Sequence, residues 1–136
     1  MITAIDTNVL LDVLAADPAF GTSSREALAA ARADGALIVG EVVLAELSSV
    51  YPDADAAGEV LERLEIAFVA STADVAADAG LAWRAYRQAG GPRTRIVADF
   101  LVGAHATRLA DRLLTRDRGF FRAAFADLAI ADPSRD

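Results

Sequence analysis

Short apolar runs of three or four residues alternate along this chain with longer stretches whose apolar positions recur at helical spacing. Residues 2–5 form the first such run and predict a buried strand. Val9, Leu10, Val13 and Leu14 follow at i, i+1, i+4 and i+5, one stripe of a helix that Asp6 or Thr7 can cap. Thr22-Ser23-Ser24 opens a second, alanine-rich helix over 25–33, closed by Asp34-Gly35. Residues 36–39 predict a second strand, and 41–51 a helix stopped by Pro52. Residues 53–64 form a helix with a charged face, and 66–69 a brief strand. A long helix over 72–88 closes at Gly90-Gly91-Pro92. A strongly apolar helix spans Val97–Leu109, followed by strands at 112–115 and 128–130. Between those two strands, Phe120, Phe121 and Phe125 pack a short helix onto the core. Short strands alternating with helices predict an α/β fold, with a mainly parallel central sheet flanked by helices. No repeat, low-complexity tract or linker interrupts the pattern, so residues 1–136 are expected to form one domain. Ligands of such sheets bind beyond the carboxyl ends of the strands, where the chemistry is to be sought.

Composition narrows the chemistry. A domain of 136 residues, 54% of them hydrophobic, can bury a core of its own. No apolar run approaches the ~20 residues of a membrane span, and Met1-Ile2-Thr3-Ala4-Ile5 lacks the basic start of a secretory signal. With no cysteine, disulfides, thiolate catalysis and cysteine zinc sites are excluded together. These absences point to the cytoplasm. All 13 basic residues are Arg, so mechanisms that need a lysine, the phosphate-binding loop among them, are excluded as well. The net charge of −7 argues against a nucleic-acid partner until its distribution is considered. Residues 1–82 hold 3 Arg against 14 acids, whereas residues 83–136 hold 10 Arg against 6. Arg84, Arg87, Arg93 and Arg95 lie in a segment free of acids, which permits an anion-binding surface or a plain solvated face.

Four acids stand out. Asp6 directly follows the first strand, and Asp117 lies two residues past Leu113-Leu114-Thr115, so both are expected at the carboxyl edge of the sheet. Each is also the sort of residue that caps helices and builds turns. Glu46 lies within Val42-Val43-Leu44-Ala45-Glu46-Leu47, and Asp99 within Ile96-Val97-Ala98-Asp99-Phe100-Leu101-Val102. A carboxylate on a mostly buried helix costs stability unless it is paired or holds a metal, although Asp99 also suits the first turn of a helix dipole. Carboxylates converging on one pocket repel each other unless cations neutralise them. Hard oxygen donors select Mg²⁺ or Mn²⁺, and paired ions can activate water against a phosphodiester.

With these residues in view, the chain resembles the PIN-domain family, and within it the VapC-type toxins of bacterial toxin–antitoxin pairs. Asp6-Thr7-Asn8-Val9-Leu10-Leu11-Asp12, Val43-Leu44-Ala45-Glu46-Leu47, residues 95–106 and residues 110–121 resemble its four motifs, in order and over nearly the full length. The resemblance implies a PIN-like three-layer sandwich and a Mg²⁺- or Mn²⁺-dependent endoribonuclease. It implies Asp6, Glu46, Asp99 and Asp117 as the acidic metal site, with Asn8 and Thr115 as polar supports. It further implies a homodimer, an RNA substrate such as tRNA or rRNA, and a cognate antitoxin that blocks the site. Arg93, Arg95, Arg116 and Arg118 are candidates to hold the RNA backbone.

Other residues carry less. Glu41 rivals Glu46, but its place beside Gly40 suits a helix start. His105, the sole histidine, is expected to pack structurally, and Trp83 and Tyr86 to belong to the core or a dimer interface. Asp12 is expected to face solvent or to support the site. The alternative functional reading is a catalytically idle PIN-like module that binds RNA or protein. A haloacid-dehalogenase-like phosphatase ranks lower because Asn8 stands where its second Asp belongs. A phospho-receiver domain lacks its lysine.

Overall fold

The computed structural model describes residues 1–134; the last two positions of the expected domain lie outside them. Among the described residues the strands are β1 (Thr3–Ile5), β2 (Leu37–Val39), β3 (Ile66–Phe68), β4 (Arg112–Leu114) and β5 (Ile130–Ala131). The helices are α1 (Thr7–Leu14), α2 (Gly21–Asp34), α3 (Glu41–Ser48), α4 (Ala54–Arg63), α5 (Ala73–Gln88), α6 (Val97–Leu109) and α7 (Arg118–Ala124). All pairings are parallel, in the order β3-β2-β1-β4-β5. This is the α/β architecture that the hydrophobic pattern predicts, with a sheet that is wholly parallel.

Strand β1 sits at the centre, and side chains alternate across it and its neighbours. Ala4 and Leu113 face Leu101, Val102 and His105 of α6. Leu114 and its register partner Ala131 face Ala27, Ala30 and Ala31 of α2. Helices therefore cover both faces, which is why β1, β2 and the end of β4 are buried throughout rather than alternating. Phe100, fully buried, centres an aromatic cluster with Trp83, Tyr86, Phe120 and Phe125. Trp83 and Tyr86 thus join the core of this chain.

Local chemistry moves a few boundaries. Helix α2 begins at Gly21, because the Asp17 carboxylate takes the amides of Ala19 and Phe20 while its carbonyl takes that of Gly21. At its other end Gly35 has φ +154, and a Cβ there would meet the Met1 carbonyl oxygen at 2.0 Å. Helix α3 stops at Ser48; Val50 and Tyr51 turn back to Leu47 and Ser48 ahead of Pro52. The last strand is Ile130–Ala131 instead of 128–130. Leu128 goes to the core through a turn onto Phe125, and Ala129 and Ala131 carbonyls accept the Leu113 and Thr115 amides.

Candidate active site

The chain runs from β1 outwards to β2 and β3, then crosses back to β4 and β5 on the other side. The direction reverses between β1 and β4, the switch point at which parallel sheets open a crevice. The two strands end level, since Ile5 pairs with Leu114 and the Asp6 amide donates to the Leu114 carbonyl at 3.0 Å. Asp6 and the segment 115–117 therefore leave the sheet side by side.

Thr115 ties them together. Its hydroxyl donates to Asp6 Oδ2 at 2.7 Å and accepts the Asp117 amide at 3.0 Å. Asn8, in the first turn of α1, donates its amide to Asp6 Oδ2 at 3.3 Å and to Thr115 Oγ1 at 3.4 Å; its side-chain oxygen accepts the Arg116 amide at 3.2 Å. Asp6 Oδ1 accepts the Thr7 amide at 2.8 Å. Glu46 comes from the second turn of α3, and Thr7 Oγ1 donates to its Oε1 at 2.8 Å. Asp99 lies in the first turn of α6, where it accepts the Ile96 amide at 3.2 Å. The four acids Asp6, Glu46, Asp99 and Asp117 line one cleft of about 270 Å³, together with Thr7, Asn8 and the apolar walls Leu11, Val42, Val102 and Phe121.

The electrostatics follow from this convergence. Burial pushes the Asp6 carboxyl up to about 6, and the charges of Glu46 and Asp117 push in the same direction, against the hydrogen bonds from Thr115 and Thr7. Asp117 is gripped at both oxygens by Arg95, at 2.6 Å and 3.2 Å. This pairing holds the Arg95 guanidinium still more firmly protonated than usual. Its central carbon lies over the Phe120 ring, 4.2 Å from the ring centre.

The remaining candidates lie elsewhere or are engaged. Asp12 does not face solvent: it is 5% exposed and bound by Arg116 at 2.6 Å and 3.0 Å and by the Ser24 hydroxyl at 2.8 Å. Arg116 in turn stacks on Phe20. Among the described residues Arg118 pairs with Asp132 at 3.4 Å, and Arg93 is exposed. Glu41 starts α3 and accepts the Ser71 amide, away from the cleft. His105 is buried, and its Nε2 donates to the Val69 carbonyl at 2.6 Å.

The sequence reading did not single out Thr7 as a support of Glu46, or Arg95 as the partner of Asp117. A hydroxyl beside Asp6 was the available signal for the first. The second joins residues 22 apart and has no local signature.

The match to known proteins agrees with this geometry. Residues 3–126 match the PIN domain. The chain belongs to the PIN domain family. PIN domains are typically nucleases and are generally metal-dependent. No match was found among curated proteins. In fold, this PIN domain is similar to a chain of VapBC2 from Rickettsia felis bound to a promoter DNA fragment (TM-score 0.75, 20% identity, covering 97% of this chain and 98% of that one). It is similar also to chains of VapBC-1 from nontypeable Haemophilus influenzae (0.74, 19%, 99% and 100%) and of FitAcB from Neisseria gonorrhoeae (0.74, 23%, 100% and 100%).

The donor set of this PIN domain suits a hard divalent cation in kind: four carboxylates and no sulfur or imidazole line the cleft. Glu46 Oε2 and Asp99 Oδ1 make no hydrogen bond among the described residues. Among the described residues no three of these acids lie close enough together to hold one ion between them. Arg95 holds Asp117 on both oxygens, and Asp99 caps its own helix.

Proposed function

We propose that this PIN domain is a Mg²⁺- or Mn²⁺-dependent endoribonuclease and the toxin of a type II toxin–antitoxin pair, with residues 1–136 acting as one catalytic domain. The observation that carries the reading is the convergence of Asp6, Glu46, Asp99 and Asp117, from four separate segments, on one cleft at the strand switch point. An idle fold has no use for four like charges in one cleft, one of which is buried far enough to titrate near pH 6.

In this reading the four carboxylates hold the cation. Once bound, it supplies charge neutralisation against the phosphate and lowers the pKa of a water. The chain itself orients the ligands. Thr115 and the Thr7 amide fix both oxygens of Asp6, while the Thr7 hydroxyl fixes one oxygen of Glu46 and leaves the other open. Water adds to the phosphorus, the bond to the leaving ribose oxygen breaks, and the proton given up by the water ends, through solvent, on that oxygen, leaving a phosphomonoester and a hydroxyl. Arg93 and Arg95 are the side chains we assign to the RNA backbone, whereas Arg118 is paired with Asp132. Arg116, held by buried Asp12, serves by pinning the segment between Thr115 and Asp117 to α1. The antitoxin partner, the homodimer and the cytoplasmic setting are part of the same proposal. Its support is the fold shared with chains of VapBC and FitAB complexes.

The test is cleavage of purified tRNA and rRNA fragments by antitoxin-free protein. Discrete products that require Mn²⁺, vanish with EDTA and vanish in Asp6→Asn are expected. Products that persist in both EDTA and Asp6→Asn would overturn the metal site.

A further inference from the structure

In the carboxylate cleft one acid already has a cation. Arg95 places Nη1 2.6 Å from Asp117 Oδ2 and Nη2 3.2 Å from Oδ1, a two-pronged pairing that uses one lone pair on each oxygen of Asp117 and sets a positive charge beside the cleft a cation would enter. We propose that Arg95 is the resident counterion of Asp117, and that a divalent cation enters the cleft by exchanging with it. The inference rests on the metal-dependent reading above and concerns how the site is loaded.

Three features favour exchange over a permanent structural pair. The first is exposure. The side chains are 30% and 36% exposed, so water can take either partner as the pair opens, and pairs in such settings contribute little net stability. The neighbouring Arg116–Asp12 pair is the contrast: its acid side chain is 6% exposed and is held by Ser24 as well, so it has no reason to open. The second is preorganisation. The Arg95 guanidinium sits over Phe120, a buried ring, so it has a platform beside Asp117. The third is chain position. Arg95 sits just ahead of α6, four residues before Asp99, so the segment that carries one acid of the cleft also carries the counterion of another. A guanidinium remains charged at every relevant pH. It therefore neutralises Asp117 whenever no metal is bound and competes with the metal at every pH. Exchange also releases an arginine at the cleft mouth, where a phosphate would arrive.

Calorimetric titration with Mn²⁺ of the native chain and of Arg95→Met tests this. Methionine keeps an apolar stem against Phe120 and removes the charge. The variant is expected to bind Mn²⁺ roughly tenfold more tightly. Equal or weaker binding by the folded variant overturns the exchange and leaves the metal reading standing. No binding by either chain overturns the metal reading and the exchange with it. A second measurement needs no variant. In a Mg²⁺ titration followed by NMR of the arginine Nε–Hε groups, Arg95 is expected to move to the position and linewidth of a solvated arginine, while Arg116 stays. An Arg95 signal that is unmoved at saturating Mg²⁺ overturns the proposal.

Discussion

Asp6 accepts hydrogen bonds from Thr115, Asn8 and the Thr7 amide, yet burial and its acidic neighbours still lift its carboxyl to about 6. The sign of the consequence for stability is fixed by linkage. Between the unfolded value of 3.8 and about 6, the folded chain keeps a proton that the unfolded chain has lost. Stability therefore falls as pH rises through that window, by up to about 3 kcal/mol. Asp6→Asn cannot lose a proton. Urea unfolding in EDTA should show the variant gaining on the native chain by about 2–3 kcal/mol between pH 4 and pH 7, whatever the offset between them at pH 4. A difference that stays constant with pH would mean that Asp6 is not strained by its surroundings. At this scale the candidate acids were legible for two reasons. Asp6 and Asp117 follow apolar runs that can only be strands, and Glu46 and Asp99 interrupt apolar helices. Their partners were not legible. Thr7 meets Glu46 across 39 positions and Arg116 meets Asp12 across 104, pairings that only the folded chain creates. For that reason Asp12, which a helical stripe leaves on the polar side, turns out to be buried.

Among the elements, α6 matches its predicted span of Val97–Leu109 because its apolar residues are continuous and its first turn carries its own cap in Asp99. The last strand departs most from its expected span, 128–130 against Ile130–Ala131. Leu128 is drawn into the core by a turn onto Phe125 and so is lost to the strand. Helix α6 also hides a constraint. Gly103 lies in its buried face, and a Cβ there would stand 2.2 Å from Cε2 of Phe125, a ring wedged between Phe100 and Phe121. Gly103→Ala gains helix propensity of about 1 kcal/mol but must displace that ring, so a net loss of about 1–2 kcal/mol is expected in urea unfolding. Adding Phe125→Leu, which clears the clash, should make the alanine neutral or favourable relative to Phe125→Leu alone. If the alanine costs as much in that background, the ring is not what excludes it. The site depends on this packing, because Phe100 and Phe120 seat the segment that carries both Arg95 and Asp99.

For the molecule as a whole, the proposed action on RNA requires an acidic protein to separate its charges, and the chain does so by sequence. Acids dominate residues 1–82, and arginines dominate the remainder. Four of the acids are gathered in the cleft, where a bound cation would offset them. Arg95, Arg108, Arg112, Arg116 and Arg118 are drawn into pairs with Asp117, Asp78, Asp34, Asp12 and Asp132, so much of the basic surplus is already paired with acids of this chain. Arg84 and Arg87 on α5 and Arg93 in the following turn are exposed, with Arg87 stacked on Trp83 at 4.5 Å. These three are the arginines best able to replace counterions on an RNA backbone. Each phosphate contact to a single strand contributes about 0.7 to the slope of log affinity against log salt. In the cleavage-impaired Asp6→Asn background, reversing all three to Glu should lower that slope by about 2, with little change in far-ultraviolet circular dichroism. An unchanged slope would remove α5 and its following turn from the RNA surface. Binding would then rest on the cleft and on whatever charge Arg95 releases there, and Arg95→Met would become the variant that moves the slope.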